Sequence, residues 1–241
     1  MKVVVTGAAK RVGAGIVEEF ARCGFDVVLH YRSSDDEAQT TAERCRAHGV
    51  QVHLISSDLA TKQGCQQLID GVLALWDDVD VLVNNASIFN PCRFEDVDDA
   101  EWDRQHNINL RAPMRVSQGL LGALRAGEGG VIVHMVDIGA DQPVNHHSAY
   151  STSKAALGML VKSMAIELAP AIRTVGVSPG QVCWPEEYSE EKRAHLKRRI
   201  PMDRAGTPEE IATLVRFLAV EGTYINGAVI PMDGGLSLRY G

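Results

Sequence analysis

The residues best suited to catalysis are a tyrosine and a lysine four positions apart. Tyr150 and Lys154 belong to the stretch Ala149-Tyr150-Ser151-Thr152-Ser153-Lys154, which begins a helical pattern. On a helix this spacing places both side chains on one face. A free phenol has a pKa of about 10, and a neighbouring ammonium group favours its ionised form, so the pair can supply a general acid. The sequence predicts acid–base chemistry at Tyr150, with Lys154 lowering the pKa of the phenol.

A second candidate site is a glycine-rich turn after the first apolar run. Val3-Val4-Val5-Thr6 leads into this turn, and a helical pattern follows it. Small residues allow a tight turn whose main-chain N–H groups approach a pyrophosphate, which also faces the positive end of the helix. The turn predicts a dinucleotide site formed by Gly7, Lys10, Arg11, Val12 and Gly13.

The end of the second predicted strand indicates which dinucleotide binds. An acidic residue there would bind the ribose of NAD, but this chain has His30-Tyr31-Arg32-Ser33. Arg32 and Ser33, helped by Lys10, can hold a 2′-phosphate through charge-assisted hydrogen bonds. NADPH is therefore the predicted cofactor. The alternative is that Asp35, in the first turn of the next helix, turns back to bind a ribose.

Polar residues at two further strand ends extend the predicted cofactor site. Asp58 and Leu59 follow the third strand, and Asp58 can accept a hydrogen bond from an adenine amino group. Asn84, Asn85, Ala86 and Ser87 follow the fourth strand. The alternative for the asparagine pair is structural, with buried amides that tie neighbouring loops together.

These residues require a scaffold of alternating strands and helices. Apolar strands are predicted at residues 2–6, 26–30, 50–56, 79–84, 130–136, 174–178 and 228–231. Helices are predicted at residues 13–23, 35–48, 62–75, 101–125, 149–169 and 208–219. The alternation predicts an α/β fold: a single-domain, Rossmann-type, doubly wound parallel sheet with helices on both faces.

Residues 180–205 interrupt this alternation. The segment contains Trp184-Pro185 and then a charged helical pattern over residues 186–199. Because it follows the carboxyl end of a strand, where ligands of such sheets bind, we expect a lid over the site. The alternative is a solvated connection. We therefore predict one NADP(H)-binding domain over residues 1–241, with residues 180–205 as its substrate lid.

Composition narrows the class of protein. The 241 residues carry a formal net charge of −7, and 45% are hydrophobic, as in a globular domain. The apolar runs are too short for a bilayer and no leader pattern precedes Lys2, so a cytoplasmic protein is expected. Net acidity argues against binding to nucleic acid. The 5 cysteines form no C-x-x-C pair and His146-His147 lacks metal-ligand spacing, so neither disulfides nor a metal are expected.

The motifs together resemble the short-chain dehydrogenase/reductase family, in order and along essentially the whole chain. They are Thr6-Gly7-x-x-x-x-x-Gly13, Asn84-Asn85-Ala86, Asn109, Tyr150-x-x-x-Lys154, Pro179-Gly180 and Asp233-Gly234-Gly235. The resemblance implies that Tyr150 is the acid/base and that Lys154 lowers its pKa and holds the nicotinamide ribose. It also implies that Asn109 supports a proton relay and that Pro179 and Gly180 adjoin the cofactor. A homotetramer built through segments 101–125 and 149–169 is implied as well.

Two departures resemble one branch of that family, the pteridine reductases. Arg11 occupies a position where the family commonly has glycine, and Asp137 replaces the common catalytic serine thirteen residues before the tyrosine. Leu29-His30-Tyr31, Phe89 and Gln142-Pro143 agree with the same branch. The resemblance implies NADPH-dependent reduction of a dihydropterin to its tetrahydro form, with dihydrofolate and oxidised pterins as further candidate substrates.

A pterin substrate gives these residues specific roles. Phe89 can stack on the flat ring against the nicotinamide, and Asp137 can exchange protons with the ring nitrogens through Tyr150. Arg11 can bridge the pyrophosphate and the oxo edge of the pterin, Ser87 can line the pocket, and Trp184 can close it from the lid. The alternatives are core packing for Phe89 and a structural carboxylate for Asp137.

Two other functions remain open from the sequence. One is a carbonyl reductase of the same family, such as a 3-oxoacyl-carrier-protein reductase, with Asp137 in the place of serine. The other is a catalytically silent dinucleotide-binding protein, against which the intact Tyr150, Lys154 and Asn109 argue.

Overall fold

A computed structural model describes residues 1–127, 129–184 and 188–238. Within these residues the strands form one parallel sheet of seven strands in the order β3-β2-β1-β4-β5-β6-β7. The strands are β1 (Lys2–Val5), β2 (Asp26–Tyr31), β3 (Val52–Ser56), β4 (Val81–Asn84), β5 (Gly130–Met135), β6 (Ile172–Pro179) and β7 (Val229–Met232). The strand order reverses between β1 and β4, and ligands of such sheets bind in the crevice outside this point.

Helices cover both faces of the sheet, which confirms the predicted fold class. They are α1 (Arg11–Arg22), α2 (Asp35–Arg46), α3 (Lys62–Leu75), α4 (Asp99–His106), α5 (Ala112–Ala126), α6 (Ser148–Glu167), α7 (Glu190–Lys197) and α8 (Pro208–Val220). Alternate residues of β1 point to opposite faces: Val3 and Val5 pack with α1, α2 and α8, and Val4 packs with α3 and α5. This double burial explains why the strands are apolar at almost every position.

The helix predicted over residues 101–125 is present, but it is not one regular α-helix. A π-helical turn at Asn107–Arg111 separates α4 from α5. Pro113, at the start of α5, has no N–H and cannot donate to the carbonyl of Asn109, so a regular α-helical ladder cannot run through this point. Such turns often occur at functional sites.

The remaining differences from the predicted elements are small. Strands β3 and β4 each begin two residues later than predicted, and β6 extends two residues before and one residue beyond the predicted strand. In the segment predicted as a lid, α7 begins at Glu190, and Pro185, Glu186 and Glu187 lie outside the described residues.

Candidate active site

Asp137 and Tyr150 meet at the carboxyl end of the sheet. Asp137 follows β5, and Tyr150 lies in the first turn of α6, where it is 5% exposed. The two side chains interact electrostatically, and a Cβ built on Gly139 would lie 2.9 Å from Asp137 Oδ1 and 3.7 Å from the Tyr150 ring. Asp137 Oδ1 accepts from the main-chain N–H of Gly139 at 2.7 Å, which caps the short turn Ile138–Ala140 and fixes the direction of the carboxylate.

Burial sets the proton affinity of this pair. It raises the pKa of Asp137, and together with the Asp137 carboxylate it raises the pKa of Tyr150 well above its ordinary value. The expectation that Lys154 lowers the pKa of Tyr150 stays a prediction, because burial and the Asp137 carboxylate account for the shift found here. The phenol is buried beside an acceptor carboxylate, so the protonated phenol is the favoured form.

Lys154 lies one helical turn beyond Tyr150 and is fully buried. Its Nζ donates to the main-chain oxygen of Met135 at 2.7 Å and lies 5.7 Å from the centroid of the Tyr150 ring. Burial lowers the pKa of Lys154 to about 8, although the Asp137 carboxylate opposes this shift. The lysine thus remains mainly charged at neutral pH.

Asn109 ties three elements of the site together. Its Oδ1 accepts from the Ser87 hydroxyl at 3.0 Å and from the N–H of Ile88 at 2.9 Å. Its Nδ2 donates to the Ile88 carbonyl and to the Ser153 hydroxyl, each at 3.1 Å. These bonds occupy the side chain that was expected to support a proton relay. The main-chain carbonyl of Asn109 lacks its usual α-helical hydrogen bond, because residue 113 is proline and has no N–H to donate.

A cavity of about 420 Å³ follows the carboxyl edge of the sheet from the glycine-rich turn to the loop after β4. The following predicted cofactor residues line it: Gly7, Lys10, Arg11, His30, Tyr31, Arg32, Ser33, Asp58, Leu59, Asn85, Ala86 and Ser87. Five residues that were not among the predicted cofactor residues also line it: Ala9, Ser34, Ser57, Ile88 and Ile108. Small and apolar side chains carry no chemical signal in the sequence, so only the fold reveals them.

The glycine-rich turn has the geometry of an anion site. Gly7 has φ +63°, and a Cβ there would lie 2.9 Å from the Cα of Ala86. Arg11, the first residue of α1, has φ +57°, which explains why glycine suits this position in related turns. No side chain caps the first turn of α1, so its N–H groups are available to a phosphate.

Six of the predicted cofactor residues lie outside the lining of this cavity: Tyr150 and Lys154, described above, and four others. Val12 packs against the core, and a Cβ on Gly13 would lie 2.3 Å from the Gly7 carbonyl oxygen, so Gly13 allows close packing within the turn. Pro179 ends β6, and the N–H of Gly180 donates to the Met232 carbonyl at 3.2 Å. These residues shape neighbouring loops in this structure.

His30 supports the turn from below. Its Nδ1 accepts from the N–H of Gly7 at 3.2 Å, and its Nε2 lies 3.1 Å from the Ser57 carbonyl oxygen. Burial lowers the pKa of His30 to about 4, so the ring is neutral near pH 7. His30 lines the cavity, but protein atoms already occupy both of its ring nitrogens.

The far end of the cavity is cationic. Arg32 and Ser33 are exposed there, and none of the ion pairs among the described residues involves Arg32. Lys10 lies only 3.6 Å from Glu37, with both side chains largely exposed. The carboxylate of Asp35 accepts from the Tyr31 hydroxyl at 2.9 Å through its Oδ1.

Some loop residues around the glycine-rich turn bond to other protein groups, and others are left exposed along the cavity. The amide of Asn85 donates to the main-chain oxygens of Thr6 and Gly7, at 2.9 and 3.0 Å, so its side chain ties loops together as the alternative interpretation held. Asn84 is buried, and its amide donates to the Ser117 hydroxyl at 3.0 Å. The Asp58 carboxylate is exposed and accepts only from the N–H of Ala60 among the described residues.

An aromatic group borders the Asp137–Tyr150 pair. Phe89 is 49% exposed, so core packing is ruled out for it. Its ring stacks on His147 with centroids 3.9 Å apart and meets the Tyr150 ring edge-on at 4.6 Å. Sequence reasoning considered His147 only as a metal ligand and missed this contact, which depends on the loop before α6.

A second cavity, of about 840 Å³, lies between the loop after β5 and α7. Its lining is Ile138, Gln142, Pro143, Val144, Asn145, Gln181, Leu196, Arg199, Ile200 and Leu236. A Cβ built on Gly139 would lie 2.9 Å from Asp137 Oδ1, 3.4 Å from Val144 and 3.7 Å from Tyr150, so this cavity adjoins the pair. Trp184 is half-buried and lines neither cavity, although it was expected to close the site.

Comparison with known proteins identifies the family. A family model described as Enoyl-(Acyl carrier protein) reductase matches residues 7–237. A 3-oxoacyl-[acyl-carrier-protein] reductase from Aquifex aeolicus is 31% identical, over 97% of this chain and 96% of its own. A 3beta-hydroxysteroid dehydrogenase from Eggerthella lenta is 31% identical, over 99% and 94%. The crystal structure of an acetoin dehydrogenase from Salmonella typhimurium superposes with a TM-score of 0.91, at 31% identity over 99% and 96%.

This chain belongs to the short-chain dehydrogenase/reductase family. It is therefore an oxidoreductase whose family generally uses NAD(P)H and small-molecule substrates. Within the described residues no cluster of three or more His, Cys, Asp or Glu side chains is suited to a metal ion. No helix in the described part of the chain is long and apolar enough to cross a membrane.

Proposed function

We propose that this short-chain dehydrogenase/reductase is an NADPH-dependent reductase of dihydropterins. The observation that carries the proposal is the position of the Asp137 carboxylate beside the buried Tyr150, with Gly139 between them: a Cβ built on Gly139 would lie 2.9 Å from Asp137 Oδ1 and 3.7 Å from the Tyr150 ring. A ketone needs hydroxyl donors to polarise one oxygen, whereas a pterin offers ring nitrogens that exchange protons with a carboxyl group. A buried carboxylate with a raised pKa beside the acid/base tyrosine suits the second substrate.

The residues along the first cavity fit NADPH. The uncapped first turn of α1 suits the pyrophosphate, and the unpaired Arg32 with Ser33 and Lys10 suits the 2′-phosphate. Asp58 would accept from the adenine amino group, and Pro179 and Gly180 would adjoin the nicotinamide end. Bound NADPH would supply a hydride to the carbon of a pterin C=N bond.

The chain itself must deliver a proton to the nitrogen of that bond. Tyr150 holds the transferable proton on its phenolic oxygen, because the Asp137 carboxylate disfavours the phenolate. When Tyr150 donates, the pair is left with a further negative charge, which the Lys154 ammonium would offset. Solvent then restores the proton, so one hydride and one proton convert the C=N bond to CH–NH.

The neighbouring residues would hold the pterin ring. Phe89 is exposed beside Tyr150 and would stack on the flat ring, exchanging its present contact with His147 for one with the substrate. Ser87 lies in the same loop, and Arg11 would bridge the pyrophosphate and the oxo edge of the pterin. Residues 180–205 would act as the lid, with Trp184 moving towards the site on closure.

A cytoplasmic address and a homotetramer complete the proposal. Cys23, Cys45, Cys65, Cys92 and Cys183 are all free thiols, as expected in a reducing compartment. Pterins and folates would be its small-molecule partners, and neither nucleic acid nor a membrane is part of the proposed function.

Turnover of defined substrates tests this function. With NADPH present, we expect the absorbance at 340 nm to fall on addition of dihydrobiopterin, because NADPH is oxidised, and we expect tetrahydrobiopterin as the product. Acetoacetyl thioesters serve as the comparison, because a relative of this chain is a 3-oxoacyl-[acyl-carrier-protein] reductase. Turnover of the thioester without turnover of the dihydropterin would replace the proposal with that alternative.

A further inference from the structure

Side chains hold the main chain of Gly7 at both of its polar groups. Its N–H donates to Nδ1 of His30 at 3.2 Å, and its carbonyl oxygen accepts from the amide of Asn85 at 3.0 Å. Gly7 has the left-handed φ of +63° and lines the first cavity. An N–H group that donates to a protein acceptor is not available to a ligand. The orientation of this residue therefore decides which N–H groups of the turn can face an anion.

Residue 30 accepts from two successive N–H groups of the glycine-rich turn. The N–H of Gly7 donates to the ring of His30, and the N–H of Ala8 donates to its main-chain oxygen at 2.8 Å. The N-cap residue of α1, Lys10, makes no side-chain hydrogen bond to the first turn of the helix. The N–H groups that this arrangement leaves to a pyrophosphate are those at the start of α1.

The His30 ring can hold the turn in one protonation state. Because an N–H group can only donate, Nδ1 must accept from Gly7, and the proton of the neutral ring lies on Nε2. Nε2 is 3.1 Å from the carbonyl oxygen of Ser57, which follows β3. His30 is 2% exposed, and burial lowers its pKa to about 4, so the ring is neutral near pH 7. The imidazole thus joins the ends of β2 and β3 to the glycine-rich turn.

We propose that His30 is a positioning residue for the dinucleotide, whose Nδ1 holds Gly7 in the orientation that leaves the start of α1 open to the pyrophosphate. A side chain without an acceptor at this point would leave the Gly7 N–H without its partner, and the peptide would rotate towards another. Binding would then have to reverse that rotation, which lowers the affinity for the diphosphate. This inference rests on the dinucleotide part of the proposed function and is independent of the pterin substrate.

Two amide substitutions separate the roles of the two ring nitrogens. The Oδ1 of asparagine is as many bonds from Cβ as the ring Nδ1, so His30→Asn keeps an acceptor for Gly7 and loses the contact with Ser57. The Nε2 of glutamine corresponds to the ring Nε2, so His30→Gln keeps the donor to Ser57 and loses the acceptor for Gly7. We expect His30→Gln to raise the dissociation constant for NADPH by about tenfold, and His30→Asn to keep it within about threefold of the parent value. Fluorescence titration measures both.

Adenosine 2′-monophosphate is the control ligand, because it carries the 2′-phosphate and has no diphosphate. Its dissociation constant should change less than about twofold in both variants. His53→Gln is the control variant, since it makes the same substitution on β3, where the ring contacts Trp76 with centroids 5.8 Å apart. This variant should bind NADPH as the parent protein does.

Unchanged NADPH binding in His30→Gln, or an equal loss in His30→Asn, would overturn the positioning role. Equal losses of NADPH and adenosine 2′-monophosphate in His30→Gln would also overturn it, because they would show a general disruption of the site. The proposed function fails separately, if the parent protein binds NADPH and reduces no dihydropterin. A parent protein that binds no dinucleotide would refute both.

Discussion

At the scale of single residues, the surroundings of Tyr150 favour its protonated phenol. Burial and then the Asp137 carboxylate raise the pKa of Tyr150, and burial also raises the pKa of Asp137. Lys154 is the cation nearby, and its pKa of about 8 keeps it charged at neutral pH. In the proposed reaction, the phenol of Tyr150 would supply the proton and Lys154 the compensating charge beside it.

We expect Arg32 to decide the choice of cofactor. Arg32→Asp should lower the preference for NADPH over NADH by more than about tenfold, because a contact with the 2′-phosphate becomes a repulsion. Dissociation constants from fluorescence titration with each dinucleotide measure this. Arg125→Asp on α5 makes the same charge change away from the cavity and should leave the preference unaltered. An unchanged preference in Arg32→Asp would remove the 2′-phosphate assignment.

Arg11 carries backbone strain that a turn of glycines would avoid. Arg11 has φ +57°, a conformation that glycine adopts at lower cost, so Arg11→Gly should raise the free energy of unfolding by about 0.5–1 kcal/mol. The same variant should weaken NADPH binding, because the guanidinium is lost. Arg11→Ala is the matched control, since it loses the guanidinium and keeps the strain. Urea unfolding and NADPH titration separate the two effects. A less stable Arg11→Gly protein would mean that packing of the arginine outweighs its strain.

At the scale of elements, the π-helical turn between α4 and α5 brings Asn109 under the site. The turn joins the loop after β4, through Ser87 and Ile88, to α6, through Ser153. Its position follows from Pro113, which a helical periodicity cannot reveal. The turn thus organises both the loop that carries Phe89 and the helix that carries Tyr150.

Asn109→Ala should lower the free energy of unfolding by about 2–4 kcal/mol, because buried donors and acceptors lose their partners. Asn107→Ala on the same turn removes a bond from the exposed Arg111 and should cost less than about 0.5 kcal/mol. Chemical denaturation of both variants measures the difference. Equal stabilities would show that Asn109 serves the reaction alone and not the architecture.

The elements themselves were accessible from the sequence, and the contacts between them were not. Strand–helix alternation and the Tyr150–Lys154 spacing depend on local periodicity, so they identified the fold and the catalytic helix. The stacking of His147 on Phe89 and the raised pKa of Tyr150 depend on which loops meet and how deeply they are buried. Residues such as Ala9 and Ile108 line the cavity through their position alone.

At the scale of the whole molecule, α6 presents an apolar surface away from the core. Met159 is 62% exposed and Ile166 is 82% exposed, and their spacing of seven places them on one face. We expect this face to be covered in a homotetramer, as the family resemblance implied. Sedimentation velocity should then give a tetramer, and Ile166→Glu should shift it to smaller species.

Leu73→Glu provides the control for assembly, because Leu73 is an apolar residue on α3 with 44% exposure. It should leave the tetramer intact. A monomeric parent protein, or a tetramer that tolerates charge at both Met159 and Ile166, would show that this face has another use.

The measurement that tests the central claim most directly compares two quantities in Asp137→Ser. We predict that kcat/KM for dihydrobiopterin falls by at least about a hundredfold, since general acid catalysis contributes on that order, while the dissociation constant for NADPH changes less than about threefold. Equal losses in turnover and in NADPH binding would mean that the carboxylate is only architectural. Undiminished pterin reduction by the serine variant would contradict the account outright.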